Sequence, residues 1–253
     1  MTLLTGGTRL RVVSWNVHGC VGTDRVFAPE RIAAWLRALA PDIVLLQEVG
    51  DIRGVHPPVD QASTIADALG FSCAVGITVR TGPYGYGNAT LTRFTVVDSE
   101  SIDLSVWGRE PRLALRAVVG HDELKIITLN VHLGLGPEER RTQLRRLLPA
   151  LDSQLGQEAV LMGGDFNDFP PGPVTLTLRH RMVDAAARIK KSRTFPSRRP
   201  LLRLDRLYVG PGARVAAARV VSEGDIRVAS DHLPVLVDFV VPERRVNLRG
   251  DPP

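Results

Sequence analysis

Arg11-Val12-Val13-Ser14-Trp15-Asn16-Val17-His18-Gly19 is echoed downstream by Lys125-Ile126-Ile127-Thr128-Leu129-Asn130-Val131-His132-Leu133-Gly134. Both are short apolar runs that end in Asn-Val-His, and a run of this kind reads as a strand buried on both faces. The echo continues. Each run is followed by a helix that opens near a proline (Pro29-Glu30-Arg31 and Pro137-Glu138-Glu139), where the missing N–H costs nothing. A second apolar run comes next. Asp42-Ile43-Val44-Leu45-Leu46 ends at Gln47-Glu48, and Ala159-Val160-Leu161-Met162 ends at Gly163-Gly164-Asp165-Phe166-Asn167. Two β-helix-β units, each ending in an acid, predict an α/β fold built on a pseudo-twofold pair of sheets whose polar strand ends meet at one cleft.

Between the units, residues 72–79, 88–97, 100–107 and 112–119 read as short strands, most economically joined as antiparallel hairpins. Gly82-Pro83-Tyr84-Gly85-Tyr86-Gly87 looks like a phosphate loop, yet it lacks the Lys-Ser/Thr ending and leads into strand, so it reads as a hairpin lip. Pro170-Pro171-Gly172-Pro173 opens a short helix, and Lys190 to Pro200 is a basic, proline-punctuated loop. Strands at 203–209, 214–221 and 233–241 close the fold. The domain therefore spans 9–241, with 1–8 and 242–253 as terminal extensions and the tail frayed.

Composition sets the frame. A chain of 253 residues, 44% hydrophobic, can bury a full core as one large domain. The formal charge of +5 suits an anionic substrate, but it is carried by Arg, with Lys only at 125, 190 and 191, a chain-wide habit that makes it weak evidence for nucleic acid. Cys20 and Cys73 are too few for a disulfide framework and lack metal spacing, so both read as small buried thiols. Residues 1–8 lack the pattern of a signal peptide, and no stretch reaches the ~18 apolar residues of a membrane span. The expectation is a soluble cytoplasmic protein.

The chemistry follows from the polar clusters. Hydrolysing a phosphate ester requires neutralised phosphoryl charge and a water held in line with the leaving oxygen. Glu48 and Asn16 offer the oxygen ligands that a hard divalent ion such as Mg²⁺ prefers, with Mn²⁺ as a substitute, and Asp231 adds a third from the far end of the chain. Asp165 suits a carboxylate that orients or deprotonates water, beside the Asn167 amide on a phosphoryl oxygen. His232, in Ser230-Asp231-His232-Leu233-Pro234, faces the phosphoryl group or the water, and Asp205 accepts its hydrogen bond and sets its tautomer. Asn130 and His132 line the opposite wall and stabilise the transition state.

Other residues compete with plainer roles. Arg112 either contacts phosphate or pairs with Glu110. Asn88 holds the lip and the site together in preference to touching metal and stands with Arg112, Tyr86 and His18 as a candidate substrate contact, while His18 is divided between lining the site and a structural bond. Tyr84, Tyr86 and Trp107 have rings able to stack on a substrate, whereas Trp15 belongs to the core. The helix Glu138 to Leu148 presents Arg140, Arg141, Arg145 and Arg146 as a solvated face. Arg193, Arg198, Arg199 and Arg203 form an anion-steering rim.

Taken in order, these segments resemble the endonuclease/exonuclease/phosphatase superfamily of metal-dependent phosphoesterases. The residues that carry the resemblance are Asn16 in SWNVHG, Glu48 in LLQEV, Gly87 to Arg93, Glu110 to Leu115, Asn130 and His132, Gly164-Asp165-Phe166-Asn167, Leu204-Asp205-Arg206-Leu207 and Ser230-Asp231-His232. The resemblance implies a four-layer α/β sandwich, two mixed central sheets flanked by helices. It also implies Asn16 and Glu48 on the metal with Asp231 near it, Asp165 and Asn167 at the nucleophilic water and transition state, and Asp205 paired with His232. His132 resembles the deoxyribonuclease, phosphatase and sphingomyelinase branches more than the abasic-site enzymes, and the Thr194-Phe195-Pro196-Ser197 segment is closer to bacterial phosphodiesterase-like members and deadenylases than to the repair enzymes. The expected activity is hydrolysis of a small-molecule or lipid-headgroup phosphodiester. The alternatives are a DNA or RNA nuclease of the same superfamily and a pseudoenzyme that only binds a phosphorylated ligand.

Overall fold

In the computed structural model, which describes residues 7–56, 58–80, 82–121, 124–156 and 159–242, the first echoed run becomes β1 (Gly7–Asn16). A single 3-10 turn at His18–Cys20, α1 (Pro29–Leu39), β2 (Ile43–Gly50), α2 (Gln61–Leu69), β3 (Ser72–Val79) and β4 (Tyr86–Thr92) follow. The second half forms β5 (Thr95–Asp103), β6 (Leu113–His121), β7 (Leu124–His132), α3 (Pro137–Asp152), β8 (Ala159–Asp165), α4 (Pro173–Arg179), β9 (Val183–Asp184) and β10 (Asp205–Val209). Then β11 (Arg214–Val220), α5 (Ile226–Ala229) and β12 (Val235–Pro242) return to the first sheet.

Two six-stranded sheets result, ordered β11-β12-β1-β2-β4-β3 and β5-β6-β7-β8-β10-β9. Each has one parallel pair at its centre, β1 with β2 and β7 with β8, which is the β-helix-β unit of each echo. Side-chain alternation divides these strands between two cores. Leu10, Val12, Ile43 and Leu45 face Ile126, Leu161, Leu207 and Val209 across the sheets. Val13, Trp15, Val44 and Leu46 face outward onto Ile32, Leu36 and Ile65 of α1 and α2. Leu129, Val131, Val160 and Met162 likewise meet Leu144, Leu147, Val174 and Leu178 of α3 and α4. The layers run helix, sheet, sheet, helix. Both faces of the central strands are buried, which is why they read as continuous apolar runs.

Near the site the sheets come together closely. A Cβ on Gly163 would lie 2.8 Å from Leu45 Cδ1 and 3.3 Å from Ser14, so only glycine lets β8 cross β1 and β2 here.

Several boundaries differ from the sequence reading. The strands expected at 88–97 and 100–107 are Tyr86–Thr92 and Thr95–Asp103, because the chain turns at Arg93-Phe94, where Thr92 Oγ1 accepts from Phe94 N. The segment before β3 contains α2, capped by Asp60, whose side chain accepts from Ser63 N, and closed by Gly70 in the left-handed conformation. The capping residues were there to be read. The expected 203–209 strand begins at Asp205, since the Leu204 carbonyl is taken by Phe166 N. Gly82 to Gly85 is the turn of the β3–β4 hairpin, as its sequence indicated. Gly7 pairs with Pro242, so β1 and β12 reach slightly beyond 9–241, and the remaining terminal residues lie outside those described.

Candidate active site

The topology sends every polar cluster to one edge of the sandwich. β1, β2, β7 and β8 run toward it and end there in Asn16, Glu48, His132 and Asp165. β4, β10 and β12 start there, antiparallel to these neighbours, and bring in Tyr86, Asp205 and the Ser230–Leu233 turn.

Asp165 is the point of convergence. Its Oδ1 accepts from the Asn167 backbone N–H at 3.0 Å and its Oδ2 from Asn16 Nδ2 at 3.2 Å. His132 Nε2 and His232 Nε2 each stand 3.7 Å from the same Oδ2. Burial, together with the charges of Asp205 and Glu48, pushes the Asp165 carboxyl upward, against the pull of His232. A carboxyl held this way is suited to take a proton.

The two imidazoles differ. His232 Nδ1 lies 2.8 Å from Asp205 Oδ2, and its ring tilts against Phe195 at 4.8 Å. Burial works against its charge, but Asp205 and Asp165 outweigh it and push the ring up to about 10, so it is a cation. His132 is held well below the ordinary range by burial, and then by the charges of Arg112 and His232, so it is neutral. One cation and one neutral donor therefore face the same carboxylate.

Asn16 Nδ2 also donates to Glu48 Oε1 at 2.8 Å, while Asn16 Oδ1 accepts from His18 N. Glu48 sits in a bulge between Leu46 and Val49 with φ +55, which turns its side chain to the strand end, 21% exposed. Among the described residues its ion-pairing neighbour is the neutral His132, 3.8 Å away. Glu48, Asp165 and Asp205 thus crowd three carboxyls around one histidine cation. All-oxygen donors, an excess of negative charge and a partly open face fit a hard divalent ion held by Glu48 and Asn16. Asp165, Asp205 and His232 also bring their donor atoms within 4.8 Å of one another. There, however, Nδ1 of the imidazole is already engaged by Asp205.

Other expectations need correcting. Asn130 does not face the reacting group: Nδ2 donates to Leu46 O and Ala89 O, both at 2.9 Å, and Oδ1 accepts from Gln47 Nε2 at 2.7 Å. It is a buried clamp between the sheets. Asn88 is another, donating to Asn130 O at 3.1 Å and, weakly, to Leu113 O at 3.4 Å, so it has no amide hydrogen left for substrate. Asn167, at φ +50, spends one amide hydrogen on Leu133 O and keeps the other. Arg203 is no rim residue. It is buried and paired with Asp184 through both terminal nitrogens. Arg140 leaves the solvated face, donating to Gly134 O and Leu135 O and lying 3.6 Å from Asp168.

Of its two readings Arg112 shows the pairing, buried with Nη1 on Glu110 Oε1 at 2.6 Å, and it is close enough to His132 to lower its pKa. It also bonds the buried Tyr86 hydroxyl, which burial and the Glu48 and Glu110 charges push up. His18, at φ +48 and 49% exposed, and Asp231, 33% exposed, form an outer rim 4.0 Å apart. Ser230 Oγ donates to Asn16 O and accepts from His232 N, which ties this rim to β1. Arg193, Arg198 and Arg199 are exposed on the adjoining loop.

Sequence reasoning missed the group that holds the Asp165 loop. Asp168 Oδ2 accepts from Gly172 N, Thr175 N and Thr175 Oγ1, capping α4 from a distance, and the fully buried Arg206 donates to Asp168 O at 2.7 Å. An acid just ahead of Pro-Pro-Gly-Pro was the available signal.

Comparison with known proteins agrees with this geometry. The chain is 32% identical over 242 residues to "Uncharacterized protein YbhP" of Escherichia coli K12, covering 90% of this chain and 95% of that one. An endonuclease/exonuclease/phosphatase from Beutenbergia cavernae superposes with a TM-score of 0.74 at 26% identity, over 92% of this chain and 72% of that one. A Bacteroides thetaiotaomicron mannosyl-6-phosphatase shares the fold at TM-score 0.76 and 20% identity, over 91% and 99% of the two chains. Residues 13–232 match the Endonuclease/Exonuclease/phosphatase family, whose members are phosphoesterases and nucleases that depend on divalent metals. With that match spanning the strand ends that build the site, the chain belongs to the Endonuclease/Exonuclease/phosphatase family.

Proposed function

We propose that the chain is a divalent-metal-dependent phosphodiesterase that hydrolyses a small-molecule or lipid-headgroup phosphodiester by in-line attack of water, without a covalent intermediate. The observation that carries this reading is the convergence of Asn16, His132 and His232 on the Asp165 carboxylate.

Asp165 accepts the proton of the attacking water, and Asn16 and the Asn167 backbone N–H fix its two oxygens. His232, kept protonated by Asp205, neutralises charge on the phosphoryl oxygens, while neutral His132 donates a hydrogen bond from the facing wall. Asn167 offers its free amide hydrogen, and Arg112 its charge, to the same oxygens. Glu48 and Asn16, with Asp231 toward the rim, would hold Mg²⁺ or Mn²⁺, which supplies Lewis-acid stabilisation of the phosphoryl and leaving oxygens when bound. A purely phosphate-binding role is disfavoured because none of the positions matched to the family is lost. The fold's use by a mannosyl-6-phosphatase supports water attack on phosphate esters in this scaffold.

The test is hydrolysis of bis(p-nitrophenyl) phosphate with Mg²⁺ or Mn²⁺, against EDTA and an Asp165→Asn protein. Metal-dependent turnover absent from the variant is the expected result; turnover that survives EDTA or the substitution would sink the mechanism. A nuclease is the competing reading, favoured by the exposed Arg193, Arg198 and Arg199. Nucleic-acid binding that falls steeply with salt would select it.

A further inference from the structure

Trp107 is 99% exposed. It stands at the tip of a tight turn, closed by Arg109 N on Val106 O at 3.0 Å and allowed by Gly108 at φ +74, so the ring is held out into solvent by ordered backbone. The other two tryptophans are placed conventionally: Trp15 is fully buried with its Nε1 on His232 O, and Trp35 packs against the first core. A single exposed apolar residue needs no explanation, but a large exposed patch does.

The distribution is uneven. Val55, Tyr84, Trp107, Leu135 and Phe169 are all exposed, and each lies on a loop at the edge of the sandwich where the active site opens. The loop of Trp107 joins β5 to β6 and ends at Arg112; Leu135 follows His132 and Phe169 follows Asn167. Toward the opposite edge the large exposed apolar side chains among the described residues are the smaller Val97 and Val183, with no aromatic ring. Arginines accompany the apolar tips. Arg25, Arg53, Arg80, Arg109, Arg198 and Arg199 are exposed on the same set of loops. Arg146 of α3 bonds Ser105 O, fixing a further exposed guanidinium beside the Trp107 turn.

Apolar tips among guanidiniums match the interface of an anionic membrane, where indole rings settle at headgroup level and each basic side chain adds attraction. Single-stranded nucleic acid would also accept Trp and Arg, but Val55 and Leu135 have no flat face to stack on a base. We propose that the active-site edge docks on an anionic lipid surface, with Trp107 as its interfacial anchor, so that headgroup phosphodiesters are presented directly to Asp165. The substrate part of this proposal rests on the phosphodiesterase reading above, whereas docking stands apart from it.

The experiment uses the whole protein in EDTA, so that binding is read without turnover. Wild type and Trp107→Ala are sedimented with vesicles of phosphatidylcholine alone and of phosphatidylcholine with phosphatidylglycerol, and tryptophan emission is followed. The expected result is binding of wild type to the anionic vesicles with a blue shift. Trp107→Ala should lose the shift and bind about tenfold more weakly. Its turnover of soluble bis(p-nitrophenyl) phosphate with metal should stay within about twofold of wild type, since Trp107 touches none of the reacting groups. The proposal is overturned if wild type ignores anionic vesicles, if Trp107→Ala binds them equally well, or if the emission responds to single-stranded oligonucleotide and not to lipid. Failure of diester hydrolysis with docking intact would reject the enzymatic reading alone.

Discussion

Asn16-Val17-His18 and Asn130-Val131-His132 are the same three residues at the ends of equivalent strands, yet the protein uses them in opposite ways. In the first copy the Asn reaches the site, bonded to Glu48 and Asp165, and the His is exposed at the rim. In the second the Asn is buried as a clamp between sheets, and the His stands beside Asp165. Strand length makes the difference. β1 ends at Asn16 and breaks into a 3-10 turn, whereas β7 continues through His132. Register shows the same offset: Asn16 pairs with Gln47 and Asn130 with Gly163, so the counterpart of Asp165 is Val49, and that of Glu48 is Gly164. Both Glu48 (φ +55) and Gly164 (φ +151) have positive φ, but β2 bulges there whereas β8 keeps its register with β7 and β10. On the proposed reading the two halves share a scaffold and divide the labour, one supplying the metal carboxylate and the other the base.

The comparison can be broken by substitution. The largest effect expected is from Asp165→Asn, which should lower kcat on bis(p-nitrophenyl) phosphate by ~10²–10⁴-fold with the fold intact. Val49→Ala, at the counterpart position, should change kcat little and be felt in the thermal midpoint instead. Equal losses of kcat would mean that the halves are not divided as described.

A second contrast concerns the charges under each sheet. Asp184, buried between Arg179 and Arg203, and Asp238, between the more exposed Arg9 and Arg11, both have carboxyl pKa values below the ordinary range. Burial opposes the shift at Asp184 and the two guanidiniums overcome it, while at Asp238 the Arg11 hydrogen bond leads. A depressed folded-state value means that the stability is present above roughly pH 4 and is lost as pH falls through the folded-state value. Asp184→Asn should cost about 3–5 kcal/mol near neutral pH, because two arginines lose their buried partner. Asp238→Asn should cost under about 1 kcal/mol. Denaturant melts at neutral and acid pH check both: the penalty for Asp184→Asn should shrink in acid, and a constant penalty would refute the ion-pair account.

The histidines sharpen the functional side. His132→Ala should reduce kcat by ~10²–10³-fold, as expected for a lost donor at the phosphoryl group, and His18→Ala by no more than about threefold. A large effect at His18 would move the rim into the site. The asparagines separate stability from turnover. Asn130→Ala removes the amide that Leu46 O, Ala89 O and Gln47 Nε2 bond and should cost roughly 2–3 kcal/mol in unfolding experiments, with kcat in the surviving folded protein nearly unchanged. Asn16→Ala should show the reverse, a raised metal requirement with a smaller change in stability.

Much of this site was legible because strand ends are punctuated. A polar cluster that ends or precedes an apolar run marks where a buried strand reaches an edge, and Glu48, Asp165 and His232 were found this way, whereas Asp205 was read from its own strand as the partner of His232. The residues misread were those whose direction depends on a partner distant in sequence. Asn88, Asn130, Arg140 and Arg203 have side chains that serve equally well at a surface, at a site or inside a polar core, and only the facing sheet or helix decides among these.

The amino-acid sequence by itself determined the pair of β-helix-β units, their apolar runs and the identity of the acids and imidazoles at the strand ends, because these depend on local periodicity and residue chemistry. Tertiary structure alone decided which Asn and which His of the repeated tripeptide reach Asp165. The two strands are identical there in type, and the outcome turns on where β1 breaks, how β2 bulges at Glu48, and how closely Gly163 lets the sheets approach.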